Sequence, residues 1–217
     1  MRGACLAACM VLSGFEANAC DVALALTVDV SGSIDNNEYR LQMTGLAHAL
    51  DDPAVADALV AAKAKVAVVL WSGASRQEVT IGWRDMSSVA DVETLAADVR
   101  TIERPWRHFS TAIGEMLQVS YQLLNEVSCK RQVIDVSGDG VSNEGQEPDG
   151  MRDALVDRGV RINGLAILGA TGDDLVKYFR DHVIGGPNAF VYSATGYDDY
   201  PRAIKRKLLD EVTEPVS

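Results

Sequence analysis

The chain has 217 residues, 47% of them hydrophobic and 24% charged, with 31 Asp and Glu against 20 Lys and Arg and a formal charge of −11. These are globular values for one domain with a substantial core, and they exclude a disordered chain. An acidic balance of this size also excludes nucleic acid as the main partner, because grip on a phosphate backbone comes from Lys and Arg. No apolar run approaches the roughly 20 residues that a membrane-crossing helix needs.

Arg2, the apolar stretch from Ala4 to Phe15 and the small residues Ala17-Asn18-Ala19 follow the plan of a secretory signal peptide. Residues 1–19 are therefore expected to be removed, leaving 20–217 as one exported domain, periplasmic or secreted. Cleavage would discard Cys5 and Cys9 and keep Cys20 and Cys129, whose spacing matches no zinc pattern. Two cysteines left in an exported chain suggest a disulfide. A rival use of Cys20 is lipid attachment directly after the cleavage site, although Ala17-Asn18-Ala19 lacks the expected leucine.

Beyond Cys20, strand-like and helix-like segments alternate. Val22 to Val30 is a nearly unbroken Val/Ala/Leu run, as in a strand buried on both faces. Asp35 with Glu38 forms a capping-box start for a helix to about Leu50, and Pro53 begins a short one to about Ala62. Lys65 to Trp71 and Gln77 to Trp83 read as a hairpin turning at Gly73. Helical spacing follows over about Ser88–Thr101 and from near Thr111 to Val127. Gln132 to Ser137 is the fourth strand, Asp149 to Arg158 a helix and Arg161 to Leu168 the fifth strand. Thr171 with Asp174 opens a helix ending near His182. Ala189 to Ser193 is a sixth, edge-like strand, and Thr195 with Asp198 caps a last helix to Val212. Its Arg202, Lys205, Arg206 and Lys207 read as a mostly solvated face. Strands separated by helices imply parallel crossovers and a three-layer α/β sheet of six strands, in one domain without repeats or linkers.

Chemistry concentrates where the most buried strand ends, at Asp29-Val30-Ser31-Gly32-Ser33. Residues 29, 31 and 33 alternate, so in extended chain their side chains share a side. They lie at the carboxyl edge of the sheet, where open α/β sheets bind ligands. One carboxylate and two hydroxyls make a hard, oxygen-only set suited to magnesium or manganese rather than zinc, though short of the six oxygens magnesium takes. Ser110-Thr111, before a helix, and Asp139, between two glycines, are placed to add to it. Each piece also has a plain use, serine as a helix cap and Asp139 as a turn residue.

Asp29-Val30-Ser31-Gly32-Ser33, then Phe109-Ser110-Thr111-Ala112-Ile113-Gly114, then Asp135-Val136-Ser137-Gly138-Asp139-Gly140 together resemble the von Willebrand factor A domain with its metal-ion-dependent adhesion site. More narrowly, the chain is similar to a bacterial exported subgroup of these domains whose function is unassigned. The resemblance implies a doubly wound, mostly parallel six-stranded sheet with one antiparallel edge strand. It also implies that Ser31, Ser33 and Thr111 offer hydroxyl ligands while Asp29 and Asp139 hold Mg2+, or Mn2+ or Ca2+, directly or through water. One coordination position would remain for an acidic side chain of a protein or peptide partner. Where the family usually has Thr-Asp-Gly, this chain has Gly138-Asp139-Gly140.

In the strand order such domains adopt, strands one and four are parallel neighbours, and Cys20 and Cys129 precede Asp29 and Asp139 by nearly equal lengths. That implies a Cys20–Cys129 bond at the far end of the sheet. Trp106, Arg107, His108 and Phe109 would rim the metal site and contact the partner, or the two aromatics would pack beneath the loop. The leading functional expectation is an exported, metal-dependent, non-catalytic binding module. One alternative is a magnesium-dependent hydrolase or phosphatase using Asp29, disfavoured because Ser31 stands where a second Asp would be expected. The other is a structural domain with an empty metal site.

Overall fold

The computed structural model describes residues 20–169 and 172–213. The expected signal peptide, residues 1–19, and Thr171 as a helix opener lie outside the described residues.

Strand β1 (Val22–Asp29) is buried at every position because it is a central strand. With β2 (Lys65–Trp71), β3 (Gln77–Asp85), β4 (Arg131–Gly138), β5 (Arg161–Ile167) and β6 (Val191–Ala194), it forms one sheet in the order β3-β2-β1-β4-β5-β6. All neighbouring pairs are parallel except the β2–β3 hairpin, which places the one antiparallel strand at an edge. Val22, Leu24, Leu26 and Val28 pack on one face against α1 (Asn36–Leu50), α2 (Pro53–Ala61), α3 (Val89–Thr101) and α7 (Tyr200–Thr213). Ala23 and Ala25 meet the opposite layer, which contains α4 (Ile113–Leu124), α5 (Pro148–Asp157) and α6 (Asp173–Tyr178). Each fully buried Leu or Val contributes about 1.5–3 kcal/mol by leaving water. The all-apolar reading of β1 therefore reflects two helical layers closing over one strand.

Chain direction across the sheet reverses between β1 and β4, so their carboxyl ends form the switch point of a doubly wound fold. At the opposite ends Cys20 and Cys129 form a disulfide with Cα atoms 4.8 Å apart, in the range such a bond requires. The Cys20 sulfur is thereby used, and lipid attachment through it would require that bond to be absent. Among the described residues no helix is long and apolar enough to cross a membrane.

The capping box at α1 is present: the Asp35 carboxylate accepts from the amides of Asn37 and Glu38, and Glu38 accepts from the amide of Asp35 at 2.7 Å. Several boundaries differ from expectation. The helix expected from Thr111 begins at Ile113 and ends at Leu124, because the residues before it are held by the Asn143 loop. The helix ending near His182 closes in a π-helical turn, Phe179–Val183. Strand β6 starts at Val191. Thr195 and Asp198 do not cap α7; Asp199 accepts from the Thr195 amide at 3.1 Å and pairs with Arg202, and the helix starts at Tyr200.

The largest correction concerns Lys207. It is not on a solvated face but wholly buried, 2.6 Å from both Asp135 of β4 and Glu211 one turn on. Asn163 of β5 donates to the same Glu211 carboxylate at 2.9 Å. Burial raises the Glu211 carboxyl to about 8; the Lys207 charge opposes this and the Asp135 charge adds to it.

Candidate functional site

The three loops meet above the β1–β4 switch point. Asp29 ends β1 and is fully buried, with one carboxylate oxygen accepting from the Ser31 amide at 2.7 Å. Its other oxygen, Oδ2, is buried without a hydrogen-bond partner. Ser31 is buried, Ser33 exposed, and their hydroxyls lie 3.3 Å apart. Ser33 donates to Asp139 Oδ1 at 2.6 Å, joining the first and third loops. Thr111 of the second loop is 5% exposed and lines the same cleft as Ser33 and Asp139. The expected residues therefore gather in one place.

Backbone geometry explains the convergence. Gly32 donates to the Phe109 carbonyl at 2.7 Å, and a Cβ at Gly32 would come within 3.0 Å of that oxygen. A side chain there would have to push the two loops apart by a few tenths of an ångström. Thr111 is clamped by Asn143, whose side chain accepts from its amide at 2.9 Å and whose own amide donates back to its carbonyl at 2.8 Å. Arg104 donates to the carbonyls of Val30 and Ser31 at 3.0 and 2.7 Å, bracing the first loop. Neither Arg104 nor Asn143 carries a sequence signal, because each acts through the backbone of another loop.

At the third loop, Trp71, Asp29 and Gly138 sit side by side on adjacent strands. A Cβ at Gly138 would lie 3.1 Å from Asp29 Oδ2 and 3.5 Å from the Trp71 ring. The tight approach is to the Asp29 carboxylate, which would have to give by a few tenths of an ångström for a side chain here, while the indole is at ordinary contact distance.

Burial, with the Asp139 charge adding to it, pushes the Asp29 carboxyl up to about 7, against hydrogen bonds from Ser31 that lower it. Tyr197, 8% exposed and outside all three loops, donates to Asp139 Oδ2 at 3.0 Å. Burial and then the charge of Asp139 raise its phenol far above the ordinary range, so it remains a donor. It was not foreseen: 58 residues separate it from Asp139.

The cleft over the site holds about 820 Å³ and is lined by His108, Phe109, Val141 and Leu175 as well as the polar residues. Phe109 and Val141 are 40% and 45% exposed, and the Arg76 guanidinium stacks on the Phe109 ring at 4.4 Å. Of the expected rim, His108 and Phe109 line this cleft, and Arg107 joins His108 around a smaller neighbouring hollow. Trp106 is half-buried and packs against the core.

An orphaned carboxylate oxygen among convergent hydroxyls suits a hard cation, because a divalent ion would satisfy Asp29 Oδ2 and offset the charge of Asp139. The donor set is oxygen-only. Among the described residues no group of three or more His, Cys, Asp or Glu gathers to hold a metal, so any ion here would depend on the hydroxyls as well as the two carboxylates.

The doubly wound sheet with these loops at its switch point is a von Willebrand factor A fold. Three solved structures illustrate it. Proximal thread matrix protein 1 from the mussel byssus, in a form with a zinc-occupied MIDAS motif, matches with a TM-score of 0.63 at 20% identity, over 89% of this chain and 46% of that one. The pilus adhesin SpaC from Lactobacillus rhamnosus GG, in its open conformation, gives 0.64 at 14%, over 90% and 31%. A von Willebrand factor type A protein from Catenulispora acidiphila gives 0.63 at 13%, over 92% and 44%. The chain thus spans less than half the length of each, and at these identities the likeness concerns the fold. The chain belongs to the family described as "Protein of unknown function (DUF1194)", whose model matches residues 19–216. No curated protein matches it in sequence.

Proposed function

We propose that this protein is an exported, divalent-cation-dependent binding module that recognises a protein or peptide through an acidic side chain and performs no catalysis. Asp29, Ser31, Ser33, Thr111 and Asp139 would hold the ion, with Mg2+ the leading candidate and Mn2+ or Ca2+ compatible with the same oxygens. The ion would supply an open coordination position for the partner's carboxylate. Phe109 and Val141, exposed on the cleft walls, offer apolar contact to residues beside that acid.

The observation that carries this reading is the buried, unpartnered Asp29 Oδ2 at the strand end where three hydroxyl- and carboxylate-bearing loops converge. Export is supported by the signal-like residues 1–19 and the Cys20–Cys129 disulfide. The test is a magnesium titration followed by thermal unfolding, with Ser33→Ala and Asp139→Ala alongside the wild type. Wild-type stabilisation growing with the logarithm of magnesium above Kd, and weakened in both variants, is expected. A wild type indifferent to magnesium, manganese and calcium would overturn the reading. Turnover of a phosphate or carboxylic ester, lost in Asp29→Asn, would favour the hydrolase instead.

A further inference from the structure

Asp139 sits half-buried between two glycines, so its own loop does little to fix its carboxylate. Two hydroxyls from elsewhere do so: Ser33 holds Oδ1 at 2.6 Å and Tyr197 holds Oδ2 at 3.0 Å. Ser33 belongs to the expected ligand set, whereas Tyr197 belongs to the turn between β6 and α7. Its ring is packed in the core layer that contains α1 and α7, so the hydroxyl is presented from a fixed base. On the other side, the position before Asp139 is a glycine with no side chain to offer, and a Cβ there would crowd Asp29 Oδ2 at 3.1 Å.

We propose that Tyr197 is a positioning residue for the metal centre: its phenol supplies, from outside the three loops, the hydroxyl that Gly138 cannot, and fixes the Asp139 carboxylate in the orientation that receives the ion. This rests on the metal-binding reading above. The physical content is pre-organisation. A carboxylate already held at both oxygens pays less ordering entropy when the ion arrives, and one held by Ser33 alone can swing toward solvent. Partners that orient ligands in this way are worth roughly 10- to 100-fold in metal affinity.

The test is Tyr197→Phe, which keeps the packed ring and removes only the hydroxyl. Magnesium affinity, read by calorimetry and by the magnesium-induced rise in unfolding temperature, should fall roughly 10- to 100-fold. The metal-free unfolding temperature should fall only by the few degrees that one lost hydrogen bond produces, about 2–4 °C per kilocalorie in a domain of this size. In an Asp139→Asn background the same substitution should add little, because the hydroxyl acts through that carboxylate. Equal affinity in the wild type and Tyr197→Phe overturns the inference while leaving the metal reading intact. A larger drop in metal-free stability, with the magnesium response preserved or lost additively, assigns Tyr197 to packing and also overturns it. A wild type that binds no magnesium removes the metal reading itself.

Discussion

Replacing Lys207 by Met tests the buried charge cluster most directly. Lys207, Glu211 and Asp135 are at most 1% exposed, and the two carboxylate oxygens each lie 2.6 Å from the same ammonium nitrogen. Those oxygens are therefore within about 5 Å of each other, where two negative charges repel by ~3 kcal/mol at an effective dielectric of 20. Removing one member of a buried ion pair costs about 3–5 kcal/mol, because the remaining charge loses its partner without regaining water. For a urea slope of about 2 kcal/mol per molar, the midpoint should fall by about 1.5–2.5 M. Urea unfolding at pH 8 reads this directly. Adding Glu211→Gln and Asp135→Asn to Lys207→Met should restore much of the loss, since the carboxylates left behind are its source. A midpoint change under about 0.5 M for the single variant would refute the reasoning, because it would mean that Lys207 reaches water. The wild type carries its own pH signature here. Glu211 has a folded value near 8 against 4.5 for the free side chain, so the native state holds its proton more tightly than the unfolded chain. Its contribution to stability is full below about 4.5 and is lost as pH rises through about 8.

Asp29 behaves in the same direction: raised from 3.8 to about 7, it stabilises the metal-free protein below about 3.8 and loses that contribution as pH rises through about 7. Magnesium must displace the proton, so the magnesium-induced rise in unfolding temperature should be larger at pH 8 than at pH 5.5; an equal rise at both counts against ligation through Asp29. Gly138→Thr should destabilise the protein by about 1–3 kcal/mol, because the new Cβ would stand 3.1 Å from Asp29 Oδ2; chemical unfolding reads the loss, and an unchanged midpoint would show that the Asp29 carboxylate can step aside. Reduction of the Cys20–Cys129 bond, which closes a loop with a sequence separation of 109, should cost about 2–5 kcal/mol. Mass spectrometry of non-reduced exported protein should find no free thiol at either position; two free thiols would contradict the bond.

Features with local, periodic causes were legible in the sequence. The apolar run of β1, the Asp35 capping box and the β2–β3 hairpin each follow from chemistry within a few residues, and each is found where expected. Of the three oxygen-bearing loops, the first and third were legible as ends of buried strands, and the second through the resemblance carried by Phe109–Gly114. What escaped reading depends on contacts distant in sequence. Lys207 looks like its neighbours Lys205 and Arg206, and only the approach of Asp135 from β4 shows that it faces inward. Tyr197 and Arg104 reach the site through contacts 58 and 73 residues away, with no motif to mark them. The absence of a side chain at Gly138 was visible, but the close approach of Asp29 Oδ2 from the neighbouring strand was not.

The Cys20–Cys129 bond has a mechanical consequence. It ties the feet of β1 and β4, the two strands whose tops carry Asp29 and Asp139, and β1 is hydrogen-bonded along its length to β2 and β4. Tension applied between those tops and the crosslinked feet runs parallel to both strands. Their ladders are then loaded in shear, many bonds together, instead of being peeled one by one from an edge. The covalent link also prevents either strand from being drawn out past the other without carrying its neighbour along.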